Sequence, residues 1–546
     1  MKKLFFLPLA GIFLLGLFLR LFSLSAYPAG FTPDEAAFGY NAYSLLKTGR
    51  DEWGTAFFNL PVTGLRSFGD YKLPLYAFFS VPPVSLFGLN EFSTRLPNAV
   101  LSSLAVVLFY ILALRFTRSR LLAHLAALFL AVSPWIVPLS RGAFEANLTV
   151  VFLILALSLL VSKKFIQSAL IFALGMYSYH TGRLILPVIF LAGLFLLFPV
   201  AKRLRSGLVF LLLALPALFS LVAFNARSAD ISIFNPADGW ASMANGRLAL
   251  INSGVPQPLA RLLVNKLTST GQIFIANYFS YFSPRFLFSS GPAEATYGML
   301  PGRGVMTAVD LIFLPFGLVY FFRRRSRFAW LLLITLLISP FPAALTKGAG
   351  FAANRAAPLV VPLLLISAAG AWEIFYRSRT RRLPVVLLTL FLVISAANIS
   401  NYRQVIPNLS AKSMGYGWKT AISPIFSATE YFSEVRISRA LSEPHIYLAF
   451  YARLDPVFYQ LSSASWADFQ SRGFRFLDQY DGYWLGSFRF GDLNFDRPVS
   501  FPVLYIGRPQ DFPTGTDYKI LSVYPDGQPA IVSVVKTGMD NLTFRI

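Results

Sequence analysis

The chain has 546 residues, of which 55% are hydrophobic and only 13% charged, with a mean hydropathy of +0.59. Soluble domains carry about 25% charged residues, so the composition excludes a soluble globular protein and implies a polytopic membrane protein. A net charge of +23 would suggest nucleic acid in a soluble chain, but here the basic residues gather between apolar stretches, where they set topology instead. There is no cysteine, which excludes disulfides and thiolate chemistry, and His124, His180 and His445 have no metal-ligand spacing.

The first apolar span, near 4–24, follows Lys2-Lys3. It exceeds the roughly 7–15 residues of a signal-peptide core, so it reads as a retained anchor. Thr32-Pro33-Asp34-Glu35 then opens a helix expected to run to about Lys47 and to end at Thr48-Gly49. Thr as N-cap, Pro first and Glu third make a capping box, so Glu35 has a structural reading beside a catalytic one. Asp34 likewise suits either the helix dipole or a general base. Gly69-Asp70-Tyr71-Lys72 follows on the same loop, and Lys72 reads either as an interfacial anchor or as a compact cation for a phosphate. The apolar stretch 73–89 contains Pro82-Pro83, expected to interrupt any helix, and is taken as juxtamembrane. The first outer loop thus covers about 25–96.

Further spans are expected near 97–114, 121–138, 146–161, 165–179, 184–200, 207–225, 305–322, 328–345, 356–374 and 383–398. Every second break is basic: Arg115/Arg118/Arg120, Lys163-Lys164, Lys202-Arg203/Arg205, Arg323-Arg324-Arg325/Arg327 and Arg377/Arg379/Arg381-Arg382. The positive-inside bias puts these breaks and Lys2-Lys3 on the cytoplasmic side. Eleven spans follow, in the plasma membrane of a prokaryote, with the N-terminus cytoplasmic and residues 399–546 outside. The second long outer loop, 226–304, is expected to hold one or two interfacial helices. The short outer breaks bring Arg141, Arg183 and Arg355 to the outer face, beside Glu145 and His180. Beyond 399, strands are expected at 445–450, 503–507, 518–524 and 530–535, with helices near 418–440 and 455–471. The expected fold class is mainly α: a transmembrane bundle (1–398) with a small extracytoplasmic α/β domain (399–546).

With these residues in place, the chain resembles the GT-C membrane glycosyltransferases of the aminoarabinose transferase and protein O-mannosyltransferase branch. The resemblance rests on Pro33-Asp-Glu-Ala, Lys72-Leu-Pro-Leu-Tyr, Glu91-Phe-Ser-Thr-Arg-Leu-Pro-Asn-Ala99 and Ser133-Pro…Ser140-Arg141, in family order. Leu73 departs from the proline that is common there. The resemblance implies that Asp34 is the base, with Glu35 beside it, and that Lys72 meets the donor phosphate. By position alone, Arg141, Arg183 and Arg355 are further phosphate ligands, and Glu145, His180 and Asp70 are sugar or acceptor contacts. The implied partners are a polyprenyl-phosphate sugar donor, the bilayer and an acceptor that is a protein, lipid or glycan. No cofactor is required, and nothing in the sequence supports a divalent metal. The alternative is a transporter or flippase of lipid-linked sugars. Transporters keep ionisable groups near the midplane, whereas here they lie in outer loops.

Overall fold

The computed structural model describes residues 7–537 except 69, 224–231, 237, 294–296, 298, 300–301, 348–351, 379, 381, 470 and 475–476. Lys2, Lys3, Arg379 and Arg381 therefore lie outside the described residues.

The membrane part is a helical bundle. Its helices are α1 (Leu7–Leu21), α4 (Glu91–Thr117), α5 (Arg120–Ala131), α6 (Ala146–Val161), α7 (Phe165–Gly175), α8 (His180–Leu196), α9 (Val200–Ala223), α13 (Asp310–Arg324), α14 (Arg327–Ile338), α15 (Val360–Arg377) and α16 (Arg382–Gln404). Among the described residues, five stretches are long and apolar enough to cross a membrane: Glu91–Thr117, Val200–Ser220, Arg327–Ala344, Ala357–Arg377 and Arg382–Gln404. A continuous apolar core joins them, with Phe109, Phe129, Trp135, Phe172 and Phe190 fully buried.

At one end of the bundle, α2 (Pro33–Thr48) and α3 (Leu75–Phe87) flank a hairpin of β1 (Leu65–Ser67) and β2 (Asp70–Lys72). The helix expected from Thr32 forms. The Thr32 hydroxyl accepts from the Glu35 amide, the Glu35 carboxylate accepts from the Thr32 amide, and Gly49 closes the helix with φ 68°. The expectation that Pro82-Pro83 interrupt α3 is corrected, because the helix runs through both. Pro82 is exposed and Pro83 partly so, away from the buried Tyr76, Ala77, Ser80 and Val84. Among its described residues, the 226–304 segment carries α10 (Ala241–Asn252), α11 (Gln257–Leu263) and α12 (Lys266–Ser280), where one or two helices were expected.

The C-terminal part contains α17 (Trp418–Ala428), α18 (Pro444–Tyr451) and α19 (Pro456–Trp466) on a six-stranded sheet of order β4-β5-β3-β6-β8-β7. The strands are β3 (Val435–Ser438), β4 (Tyr483–Leu485), β5 (Phe488–Gly491), β6 (Val503–Gly507), β7 (Lys519–Val523) and β8 (Pro529–Lys536). β3 runs parallel to both β5 and β6, and the other pairs are antiparallel. Two expectations are corrected. Residues 445–450 form a helix, because His445–Phe450 are buried all round and a short apolar run carries no period to separate helix from strand. The helix expected near 418–440 stops at Ala428, and β3 follows.

This domain is docked on the first outer loop. Phe31, Ala36, Ala37 and Tyr40 share one apolar core with Trp418, Tyr447, Phe450 and Tyr459. At Gly39 a Cβ would lie 2.5 Å from both the Phe450 ring and Thr94 Oγ1, so glycine permits α2 to sit between the two. Glu91, at the start of α4, accepts from Lys419 (3.0 Å) and from the Tyr451 hydroxyl (3.2 Å).

Candidate active site

Three buried arginines, Arg20, Arg95 and Arg141, brace α1 and the chain that follows it. The last carbonyls of a helix have no intrahelical partner and carry the negative end of its dipole. Arg141 answers both for α1: it donates to the carbonyls of Leu19 (2.6 Å), Arg20 (3.1 Å), Phe22 (2.8 Å), Ser23 (3.2 Å) and Tyr27 (3.2 Å). Arg95 takes over where Arg141 stops, donating to Leu24 (3.1 Å), Pro28 (3.1 Å) and Gly30 (2.6 Å). Arg20 does the same for α5, through the Leu130 and Ala131 carbonyls. The fan of five N–H donors on each guanidinium suits it to gather several carbonyls. The strand of chain leading to Asp34 is thereby held from Leu19 to Gly30.

Glu35 completes this scaffold. Its carboxylate accepts from Arg95 Nε (2.8 Å) and Nη2 (3.1 Å), from the Thr32 amide (3.0 Å) and from the Ala143 amide (2.9 Å). Both side chains of the pair are fully buried. These bonds fit the capping reading of Glu35 and leave it no open face toward a substrate. Arg141, with 1% exposure, is likewise committed to carbonyls. Asn98 fixes the neighbouring turn by donating to the Leu139, Gly142 and Phe144 carbonyls.

Asp34, one residue before Glu35, faces the other way. Its carboxylate is 40% exposed and forms an ion pair with Lys72. Lys72 ends β2, paired across the hairpin with Leu65, and its ammonium lies 5.2 Å from the Phe68 ring centre and 5.8 Å from that of Phe38. At Gly64 (φ 75°) a Cβ would come within 2.9 Å of the Lys72 carbonyl, so the hairpin closes only around glycine. The side chain of Asp70 lies outside the described residues.

A backbone contact joins the chain that follows Lys72 to the turn between α7 and α8. The Leu75 amide, three residues after Lys72, donates to the Tyr177 carbonyl (3.4 Å) at the α7–α8 turn. That turn carries Tyr179 and leads into α8, whose start holds the exposed His180 and the buried Arg183, the latter's Nε without a hydrogen-bond partner among the described residues. Asn354 donates to the Tyr179 hydroxyl (3.2 Å), bringing the turn of the half-buried Arg355 alongside. Glu145, half-buried at the start of α6, is near enough for its charge to act on the Tyr76 phenol. The structure thus pairs Asp34 with Lys72, links the chain after Lys72 to the segment before α8 and, through Tyr179, to the turn of Arg355, and commits Glu35 and Arg141 to backbone groups.

A second acidic pair went unnoticed in the sequence. Glu52 is fully buried, and its Oε2 accepts from Asn41 Nδ2 (3.1 Å) while its amide donates to Asn41 Oδ1 (3.0 Å). Burial pushes its carboxyl up to about 8, with the Asp51 charge adding and the Ser67 hydroxyl and Lys72 ammonium opposing. Asp51 is pushed up to about 6, again chiefly by burial, despite accepting from the Trp53, Thr55 and Arg66 amides. Arg20 was legible in principle, since it stands inside the apolar span 4–24 and an arginine there is rare without a role.

Residues 72–224 match the family model of dolichyl-phosphate-mannose-protein mannosyltransferases. No curated protein sequence matches the chain. Among solved structures, the archaeal oligosaccharyltransferase of Archaeoglobus fulgidus, in complex with an inhibitory peptide and a dolichol-phosphate, superposes with TM-score 0.50. It is 14% identical, over 93% of this chain and 69% of its own. A second structure of an oligosaccharyltransferase from that organism, tethered to an acceptor peptide, matches 83% of this chain at TM-score 0.49 and 14% identity, and this chain spans only 63% of its length. The aminoarabinose transferase ArnT of Cupriavidus metallidurans, bound to undecaprenyl phosphate, matches 97% of each chain at 13% identity and TM-score 0.44. The chain thus shares the membrane-protein fold of the archaeal oligosaccharyltransferase. Its segment from Lys72 through α9 is similar to the dolichyl-phosphate-mannose-protein mannosyltransferases.

Proposed function

We propose that this protein transfers a sugar from a polyprenyl-phosphate-linked donor to an acceptor hydroxyl on the extracytoplasmic face of the membrane. The observation that carries the reading is the ion pair of Asp34 and Lys72, half open to the outside, with the chain after Lys72 joined to the turn before α8. Eleven helices crossing the membrane, with the N-terminus cytoplasmic, would put that pair and the C-terminal domain on the outer side. The dolichol-phosphate held by the archaeal oligosaccharyltransferase supports a lipid-linked donor here. The mannosyltransferase family segment supports a sugar, hexose before pentose, as the group transferred.

In this reading the acceptor oxygen attacks the anomeric carbon as the carbon–oxygen bond to the donor phosphate breaks. The bonding pair leaves with the phosphate and the acceptor proton passes to Asp34. One displacement inverts the anomeric centre. Phosphate is a weakly basic leaving group, so it needs cations rather than an acid, and Lys72, Arg183 and Arg355 supply them at a desolvated surface. Lys72 neutralises Asp34 at rest, and a bound donor phosphate competes for that ammonium. Donor binding therefore frees the base. His180, Glu145 and Asp70 remain the sugar or acceptor contacts.

The test is the Asp34→Asn variant, assayed by loss of radiolabelled polyprenyl-phosphate sugar. Transfer should fall about 10²–10⁴-fold while the thermal midpoint stays at the native value. Undiminished turnover refutes the assignment.

A further inference from the structure

The end of the bundle remote from Asp34 holds a feature that the transfer reaction does not use. At its start, α4 bonds to the C-terminal domain through Glu91, and at its end the carbonyls of Phe116 and Thr117 accept from Arg324 (3.2 Å each). A helix of 27 residues separates these ends by about 40 Å, the thickness of a bilayer with its headgroups. Arg324 belongs to a run of exposed arginines, with Arg323, Arg325 and Arg327, in the turn from α13 to α14. Among the described residues none of the four pairs with a carboxylate. Glu373 of α15, whose charge acts on Tyr320 of α13, bonds to Arg377 (2.5 Å) on its own helix.

A groove opens from this turn between α13 and α14, with Ile366 of α15 at its back. It encloses about 350 Å³ and is walled by Leu318, Phe321, Phe322, Trp330 and Leu333. Volumes of about 300–1,000 Å³ are those of small-ligand sites. Its sole charged lining residue is Arg325. Phe322 and Trp330 are 59% and 52% exposed, so the groove is open to the hydrocarbon on its flank.

We propose that this groove binds an anionic phospholipid of the leaflet opposite the Asp34 site, an acyl chain lying between α13 and α14 and its phosphate on Arg325. Charge complementarity selects this occupant. A zwitterionic lipid satisfies the apolar walls equally well but brings a compensating cation to a surface already crowded with guanidinium groups. A second copy of this chain would place like charges together. The assignment is independent of the proposed reaction.

Native mass spectrometry of the purified full chain tests it, with added phosphatidylglycerol or phosphatidylcholine of identical acyl chains. Each basic residue near an anionic headgroup contributes about fivefold, so phosphatidylglycerol should be retained at a concentration at least about fivefold lower. Arg325→Gln should remove that preference and leave phosphatidylcholine retention unchanged. Ala329→Trp, which fills the groove, should remove the bound phosphatidylglycerol while circular dichroism stays native. Equal retention of the two lipids overturns the proposal. So does retention of the preference in Arg325→Gln, or a dimer whose formation Ala329→Trp abolishes.

Discussion

Two carboxylates adjacent in the chain, Asp34 and Glu35, each form an ion pair, and the pairs have little else in common. Glu35 and Arg95 are both fully buried, and besides each other their oxygens and nitrogens have partners on the chain between α1 and α2 and on the 139–145 turn. Asp34 is 40% exposed and Lys72 is its cross-loop partner. The chemistry of the two acids is the same, and the difference lies in what surrounds them. A charge enclosed by fixed dipoles is a girder. A charge balanced by one cation at an open surface is available to a competing ligand. The helix geometry enforces the split, since consecutive residues at the start of α2 point about a hundred degrees apart.

That contrast sets the size of the expected effects. The largest belongs to the girder. Arg95→Ala leaves Glu35 as an uncompensated buried charge, which costs about 3–5 kcal/mol. Thermal unfolding in detergent should show a steep loss of midpoint or of folded yield. An Arg95→Ala protein of native stability would abolish the distinction between the two pairs.

The next effect belongs to the open pair. Lys72→Ala should raise the KM for the lipid donor by about 1.5–3 kcal/mol, the worth of a hydrogen bond to a charged group, with little change in thermal midpoint. A change in midpoint as large as that of Arg95→Ala would make Lys72 a structural residue instead.

Glu52 is an intermediate case, buried like Glu35 but protonated. Its folded value of about 8 lies above the ordinary 4.5, so the folded protein holds a proton that the unfolded chain has released. The stability this contributes is complete below pH 4.5 and is lost as the pH rises toward 8. Glu52→Gln keeps the neutral form at every pH. Its midpoint should therefore gain on the native protein between pH 5 and 8, by an amount on the order of 1 kcal/mol per pH unit. Asp51, raised to about 6, acts in the same direction over the lower part of that window. A native protein that grows more stable than Glu52→Gln across this range contradicts the protonated state.

The smallest effect sharpens the role of the docked domain. Gln460 Nε2 donates to Ser44 Oγ, Thr48 Oγ1 and the Asp51 carbonyl at 3.0 Å each. Gln460→Ala should cost about 1 kcal/mol, and hydrogen exchange should report it at residues 44–52 before the bundle.

Much of this was legible in the sequence because it rests on short-range rules. Apolar length and basic breaks marked the helices of the bundle, and Thr32-Pro33 with Glu35 marked the start of α2. What stayed hidden was set by tertiary contact. Arg141 stood at the outer face as a candidate phosphate ligand, and no local pattern shows that five carbonyls of residues 19–27 surround it. Buried on all sides, α18 has no periodicity, and β3, β4 and β5 are only three or four residues long. The acid pair Asp51-Glu52 looked like an ordinary loop because burial, which raises both carboxyls, cannot be read from a dipeptide.

The most direct measurement compares Asp34→Asn and Glu35→Gln side by side, recording sugar transfer and thermal midpoint for each. The account predicts that Asp34→Asn loses transfer by about 10²–10⁴-fold with its midpoint unchanged, and that Glu35→Gln loses midpoint first. If Glu35→Gln folds normally and is the variant that stops turnover, or if Asp34→Asn still transfers sugar, the account is contradicted.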